Sequence, residues 1–156
     1  MDAAEHMAVE RRRVTVINDD AEILAILREI LEEQEYEVVG LRGAEQSIEE
    51  IAVTTPDLLV VDLRLDPQAS RLSGWDMVAM SRVHPRLRHV PIIVISADVF
   101  AINERADELQ AYGDVHLMVK PFEVTTLEEL VRRLLDRTVP SPLHGDGDSG
   151  QAAEAV

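Results

Sequence analysis

The 156-residue sequence contains no cysteine, which excludes disulfide bonds and thiolate metal sites. Aromatic residues make up only 3% of it, so aliphatic side chains must fill the hydrophobic core. No apolar run approaches the roughly 18 residues that a membrane span needs. The N-terminus also lacks the apolar core of a signal peptide. We therefore expect no membrane association and a cytoplasmic location.

Positive charge is scarce as well. The 15 Lys and Arg residues face 30 Asp and Glu residues, which gives a formal net charge of -15. Such a balance argues against a nucleic-acid surface, which requires clustered positive charge, and favours cations or basic protein surfaces as partners. Only one base is a lysine, Lys120, at the end of an apolar run. Its compact ammonium suits a crowded site that holds a carboxylate and a phosphoryl group.

Five short apolar segments alternate with five amphipathic ones. The predicted strands are Val14–Ile17, Tyr36–Leu41, Leu58–Val61, Ile92–Ile95 and Val115–Val119. The predicted helices are Ala21–Gln34, Gly43–Val53, Trp75–Val83, Phe100–Tyr112 and a last one that is capped by Thr125 and Glu128 and ends at Arg137. Strands that are apolar on both faces indicate a parallel sheet with helices on each side, so we predict a doubly wound α/β fold.

The length favours a single domain. We predict a flexible lead-in over residues 1–12, an ordered domain over 13–138, and a disordered tail, rich in Pro, Gly and Ser, over 139–156. Because no further module follows the last helix, we expect a stand-alone domain. Its output is then a protein contact made by the last two helices.

Polar residues follow four of the five strands. Asn18 and Asp19 follow the first strand, Asp62 the third, Ser96 the fourth and Lys120 the fifth. Ligands of an open parallel sheet bind beyond the carboxyl ends of its strands, so we expect these side chains to meet. The second strand supplies nothing comparable, as expected of an edge strand.

This set of groups matches the needs of phosphoryl transfer. Asp19 and Asp62 are oxygen donors of the kind that Mg²⁺ prefers, and an ionised carboxylate can attack phosphorus. Lys120 would neutralise charge on the phosphoryl oxygens, to which the Ser96 hydroxyl could donate. Taken singly, each residue has a plainer explanation: a turn or helix cap for Asp19, a strand-end hydroxyl for Ser96, and a surface cation for Lys120. Asp20 is predicted to cap the first helix.

Four stretches carry a family resemblance. They are Val14-Thr15-Val16-Ile17-Asn18-Asp19-Asp20, Pro56-Asp57-Leu58-Leu59-Val60-Val61-Asp62-Leu63, Pro91-Ile92-Ile93-Val94-Ile95-Ser96-Ala97 and Val119-Lys120-Pro121-Phe122. Together they resemble the receiver domain of bacterial two-component response regulators over residues 13–138. The resemblance implies a flavodoxin-like sheet of strand order 2-1-3-4-5 with five helices.

The resemblance also implies roles for individual residues. Asp62 would be the phosphoacceptor, with Ser96 and Lys120 contacting the phosphoryl group. The metal, Mg²⁺ or Mn²⁺, would be bound by Asp19, Asp62 and the backbone carbonyl of Arg64, and through water by Asn18. The peptide bond between Lys120 and Pro121 is expected to be cis.

The resemblance implies partners and a class of function. A histidine kinase or phosphotransfer protein would supply the phosphoryl group, and a downstream protein would receive the signal. The chain would be a monomer or weak homodimer and not an enzyme. A constitutive docking module with the same fold is the alternative. A phosphohydrolase is disfavoured because Arg64 stands where such enzymes place a second acid, two residues after the nucleophile.

Three features depart from the family pattern. Asn18 occupies a position that is usually acidic, so we expect weaker Mg²⁺ binding. Leu117 stands three residues before the lysine, where an aromatic residue usually reports phosphorylation, and His116 should point to the opposite face of the strand. The segment Asp66–Gly74 is longer than the usual loop beside the phosphoacceptor, and a tolerated surface insertion is its plainest explanation.

Overall fold

A computed structural model describes residues 11–42, 47–62, 74–97 and 99–137. The strands are β1 (Arg13–Ile17), β2 (Glu37–Leu41), β3 (Leu58–Asp62), β4 (Ile92–Ser96) and β5 (Val115–Val119). The helices are α1 (Ala21–Glu33), α2 (Ile48–Ala52), α3 (Gly74–Val83), α4 (Val99–Glu104), α5 (Ala106–Tyr112) and α6 (Val124–Arg137). Strand and helix alternate along the chain, as the sequence predicts.

The five strands form one parallel sheet of order β2-β1-β3-β4-β5. This is the predicted order, and it makes β1 and β3 neighbours at the point where the chain reverses its direction of winding. β3 and β4 are buried along their whole length. Such strands need helices on both faces of the sheet, because neither face can be left to solvent.

Alternation of side chains along each strand divides the core in two. One face of the sheet packs against α1 and α6; its buried strand residues include Val14, Val16, Leu58, Val60, Ile93 and Ile95. The other face packs against α2, α3 and α5; its buried strand residues include Ile17, Leu59, Val61, Ile92 and Val94. As the scarcity of aromatic residues predicts, nearly all of the fully buried large side chains are aliphatic.

Two predicted helices differ from the structure in extent. The helix predicted over Phe100–Tyr112 is present as α4 and α5, separated by Arg105, so the described residues contain six helical segments. The helix predicted over Gly43–Val53 is described only as the five residues of α2, because residues 43–46 lie outside the described ranges. A capping box formed by Ser47 and Glu50 fixes the start of α2.

The predicted cap of the last helix is wrong. α6 begins at Val124, so Thr125 lies inside the helix. The backbone carbonyl of Glu123 instead accepts hydrogen bonds from the amides of Thr126 and Leu127. The spacing of Thr125 and Glu128 matches a capping box, but Leu127 and Val131 must face the sheet, and packing of that apolar face sets where the helix begins.

Several predictions fall on residues outside the described ranges. They are most of the lead-in over residues 1–12, the tail over 139–156, and the Asp66–Gly74 loop up to residue 73. The proposed limits of the ordered domain, 13–138, therefore stay a prediction. Among the helices of the described ranges, none has the length and apolar composition needed to cross a bilayer.

A cluster of ion pairs anchors the N-terminal end of β5, at the end of the sheet opposite the predicted site. One carboxylate oxygen of Asp114, Oδ1, accepts from His116 Nε2 at 2.9 Å and from the Arg137 guanidinium at 2.7 Å. Burial alone would raise the pKa of Asp114, but the hydrogen bonds from His116 and Arg137 outweigh it and lower the pKa. The cluster ties β5 to the C-terminal end of α6.

Replacing Asp114 should therefore cost stability in a pH-dependent way. Asp114→Asn keeps a residue type that tolerates the positive φ of 56° found there, but removes the charge. Because the folded-state pKa lies below the ordinary 3.8, the carboxylate stabilises the fold above that pH, and the benefit is lost as pH falls through the folded-state pKa. We expect a loss of about 0.5–1 kcal/mol at pH 7, as for partly exposed ion pairs.

The measurement is urea unfolding of the wild type and the variant from pH 7 downward. The difference in unfolding free energy between the wild type and Asp114→Asn should shrink as the pH falls through the folded-state pKa of Asp114. Asp107→Asn, an exposed carboxylate on α5, is the matched control and should show a smaller difference at pH 7. A difference for Asp114→Asn that grows with acidity would contradict the assigned role.

Candidate functional site

The register of the sheet aligns the polar residues that follow the strands. Ile17 pairs with Val61, Asp62 with Ile95, and Ser96 with Val119. Asn18, Asp62, Ser96 and Lys120 therefore come to the same edge of the sheet, on four neighbouring strands. This is the arrangement that the sequence predicts for the carboxyl ends of β1, β3, β4 and β5.

Asp62 is the centre of this edge. Its side chain is buried, and its Oδ2 atom accepts a hydrogen bond from Lys120 Nζ at 2.8 Å and another from Asn18 Nδ2 at 3.0 Å. Two donors on the same oxygen fix the rotation of the carboxyl group. The Lys120 side chain remains 24% exposed against 5% for Asp62, so the ammonium lies between the carboxylate and solvent.

The loop after β1 is braced by its own side chains. Asn18 Oδ1 accepts from the Asp20 amide at 2.8 Å. The Asp20 side chain accepts from the amides of Glu22 and Ile23, which confirms it as the N-cap of α1. The amide of Asn18 donates to the carbonyl of Leu41, the last residue of β2. The loop that carries Asp19 thus has a defined conformation between β1 and α1.

Arg42 is a residue of this edge that the sequence did not reveal. It follows β2, the strand expected to contribute nothing, and its guanidinium donates from Nε at 3.2 Å and Nη2 at 2.9 Å to the Asp19 carbonyl oxygen. The expectation for β2 is therefore wrong. β2 pairs with β1 in register, which brings Arg42 beside Asp19. Its position directly after a strand was the available signal.

The other residues that the sequence predicts for the site are Asp19, Ser96 and Arg64. Asp19 follows Asn18 on the β1 loop and is partly exposed, and Ser96 is buried at the end of β4. The Ser96 carbonyl accepts from the Lys120 amide at 2.9 Å, which holds the ends of β4 and β5 together. Arg64 lies outside the described ranges, so its predicted carbonyl contact to a metal stays a prediction.

The oxygen donors of this edge fit a magnesium ion better than a transition metal. Across the described residues, no three His, Asp or Glu side chains are grouped as a metal cage. Mg²⁺ commonly takes only one or two carboxylates and fills its other positions with water or phosphate oxygens. Asp62 and the neighbouring Asp19 supply that number of carboxylates.

The structure around Lys120 agrees with the sequence in two further details. The Lys120–Pro121 peptide bond is cis, as the resemblance implies. Leu117 is exposed on one face of β5, whereas His116 points to the other face and bonds to Asp114. No aromatic side chain stands at position 117 to be buried or released.

Comparison with known proteins defines the class. The family model of the response regulator receiver domain matches residues 14–132, and the chain therefore belongs to that family. This assignment confirms the sequence-based resemblance. Receiver domains serve two-component signalling and are generally not enzymes in the ordinary sense.

Individual relatives are distant. The transcriptional regulatory protein PdtaR of Mycobacterium tuberculosis is 29% identical over 81% of this chain, which spans 58% of its length. The polar-differentiation response regulator DivK of Brucella anthropi is 23% identical over 80% of this chain and 96% of its own. Because the chain spans little more than half of PdtaR, the activity of that whole protein does not transfer.

Solved structures agree on the fold. A response regulator receiver protein from Pseudomonas putida has a TM-score of 0.66 and 28% identity, covering 80% of this chain and 98% of its own. The receiver domain of a sensor histidine kinase from Pseudomonas aeruginosa PAO1, with a magnesium ion in its active-site cleft, has a TM-score of 0.66 and 20% identity. That match covers 81% of this chain and 99% of the other.

Arg42 provides a test of the braced loop. Arg42→Ala removes both donors to the Asp19 carbonyl, so the amide of Asp20 should exchange with deuterium several-fold faster. The unfolding free energy should fall by about 1 kcal/mol or less, because the guanidinium is exposed. Arg86→Ala removes the same charge at the opposite edge of the sheet and should leave that exchange rate unchanged. Equal rates in all three proteins would show that Arg42 does not hold the loop.

Proposed function

We propose that the chain is a phosphoacceptor of a cytoplasmic two-component phosphorelay and that Asp62 receives the phosphoryl group in a Mg²⁺-dependent reaction. A histidine kinase or a phosphotransfer protein is the donor, and the output is a protein contact. One observation carries the proposal. The single lysine of the chain binds the buried carboxylate at the end of β3, at the edge where Asp19 and Ser96 also lie.

The chemistry is a direct transfer. A carboxylate oxygen of Asp62 attacks phosphorus, and the new O–P bond forms as the P–N bond of the donor phosphohistidine breaks. The bonding electron pair leaves with the imidazole nitrogen, so no oxidant or other co-reactant is needed. The hydrogen bonds to Lys120 and Asn18 orient the carboxyl group before the donor arrives, which removes part of the entropic cost of the attack.

Lys120 and Ser96 are the groups assigned to the phosphoryl oxygens. An ammonium has three donor hydrogens, so Lys120 can keep its bond to Asp62 while it contacts an incoming phosphoryl oxygen. Its partial exposure leaves it accessible from solvent. The hydroxyl of Ser96, at the end of the adjacent strand, is the second donor.

Asp19 and Asp62 would hold the divalent cation, with the backbone carbonyl of Arg64 as a further ligand and Asn18 acting through water. Mg²⁺ is the proposed ion and Mn²⁺ the substitute, since both prefer oxygen ligands. When bound, the ion neutralises negative charge on the phosphoryl group. The magnesium ion described for the receiver domain from Pseudomonas aeruginosa supports this assignment by fold analogy.

The proposed output surface consists of the last two predicted helices, present as α4–α5 and α6, and of the strand β5 that connects them. Leu117 and Val119 are exposed on the same face of β5, and Phe100 is 71% exposed on α4. A protein that covered these side chains would remove their apolar surface from water, which favours association. A monomer or weak homodimer is proposed for the free chain.

The direct test is incubation with acetyl phosphate at saturating Mg²⁺, followed by intact-mass measurement. We expect a mass increase of one phosphoryl group that hydroxylamine removes, because an aspartyl phosphate is an acyl phosphate. Asp62→Asn should abolish the increase, and Asp107→Asn, an exposed carboxylate on α5, should retain it. Wild-type protein that stays unmodified at saturating Mg²⁺ would defeat the proposal.

A constitutive docking module is the second candidate, and Leu117 is the observation that favours it. A leucine cannot provide a buried polar tip as an aromatic residue such as tyrosine can, so binding at Asp62 lacks the aromatic relay to β5 that is usual in the family. The two functions differ in the amide NMR spectrum after Mg²⁺ and beryllofluoride are added. For a switching receiver, shifts should extend from Asp62 to Leu117 and Val119. Shifts confined to the pocket would favour the docking module.

A further inference from the structure

The proposed function does not account for the burial and the two hydrogen bonds of the Asn18 side chain. This side chain is 2% exposed, and both of its polar ends are engaged. Oδ1 accepts from the Asp20 amide at 2.8 Å, and Nδ2 donates to Asp62 Oδ2 at 3.0 Å. These partners fix the amide orientation, because the turned-over amide would set two donors against each other on one side and two acceptors on the other.

An amide at position 18 makes both contacts, whereas a carboxylate could make only one of them. An aspartate there could accept from the Asp20 amide, but its second oxygen would lie where Asn18 Nδ2 now lies, 3.0 Å from the Asp62 carboxylate. Two buried carboxylate oxygens at that distance repel strongly, since little solvent separates them. The Lys120 ammonium would then face two negative charges in place of one.

The negative charge of the buried Asp62 carboxylate is therefore compensated by groups of the protein itself. Its burial requires hydrogen-bond donors and opposite charge, and Lys120 supplies the charge while Asn18 supplies a neutral donor on the same oxygen. The same amide also ties the β1 loop to Asp62 through Asp20. The loop and the carboxylate are held together by groups that the chain itself provides.

We propose that Asn18 is a positioning residue that makes the geometry and stability of this pocket independent of a divalent cation. The cation then serves phosphoryl transfer and is not needed to hold the pocket together. The inference extends the proposed function, but its test involves no phosphoryl group. Failure of Asp62 to be phosphorylated and failure of this inference are therefore distinguishable.

The consequence follows from linkage between binding and folding. A cation at concentration c that binds only the folded state stabilises it by RT ln(1 + c/Kd), so a site with one carboxylate fewer, and hence a higher Kd, gains less from the same cation concentration. Asn18→Asp should bind Mg²⁺ about tenfold more tightly or better, as expected for one added charge beside the ion. It should also be less stable than the wild type when no cation is present.

The experiment compares urea unfolding midpoints in EDTA and in millimolar Mg²⁺. The wild-type midpoint should change little between the two conditions. The Asn18→Asp midpoint should lie below the wild type in EDTA and rise clearly in Mg²⁺. Asn18→Leu, which removes both hydrogen bonds without adding charge, should be destabilised equally in both conditions. Direct Mg²⁺ titration by calorimetry gives the affinities.

Asn103→Asp is the matched control, because it makes the same chemical change at an exposed position of α4. Its midpoint should respond to Mg²⁺ as the wild type does. A wild-type midpoint that rises clearly in Mg²⁺ would overturn the proposal, and this measurement is decisive even when Asn18→Asp fails to fold in EDTA. An Asn18→Asp protein as stable as the wild type in EDTA would also overturn it.

Discussion

The buried carboxylate of Asp62 is the constraint on which the site depends. A charge at the end of a fully buried strand must be compensated, and Lys120 and Asn18 provide this compensation on a single oxygen. Both partners come from other strands, so the contact exists only when β1, β3 and β5 are assembled in register. The pocket therefore exists only in the folded sheet.

The two-layered core explains why the site lies at the edge of the sheet. Residues such as Leu58 and Leu59 alternate between helices on opposite faces, and their packing leaves no room for polar side chains within β3 or β4. Polar groups can appear only where these strands end. Aliphatic packing thus fixes the backbone, and the backbone aligns Asp62 with its neighbours to within hydrogen-bond distance.

Local sequence predicted the strands well, but it predicted the helix ends and the contacts between distant residues less well. β5 was predicted residue for residue, because the turn at Gly113-Asp114 and the Lys120-Pro121 pair mark its two ends. The start of α6 was misplaced at Thr125, since packing of Leu127 and Val131 outweighed a matching cap. The break at Arg105 was missed as well; its guanidinium lies 4.4 Å from the ring centroid of Trp75, a partner far away in sequence.

The sequence alone determined the residues that follow the strands and the family, whose resemblance implied the strand order, because short continuous apolar runs that end at polar residues are local patterns. Tertiary structure alone decided which polar atoms meet. The amide of Asn18 donates to Asp62, and Arg42 binds the Asp19 carbonyl, although the sequence indicated a water-mediated metal ligand for the first and nothing for the second. The reason is that hydrogen bonds between strands depend on register and side-chain orientation, which no single segment specifies.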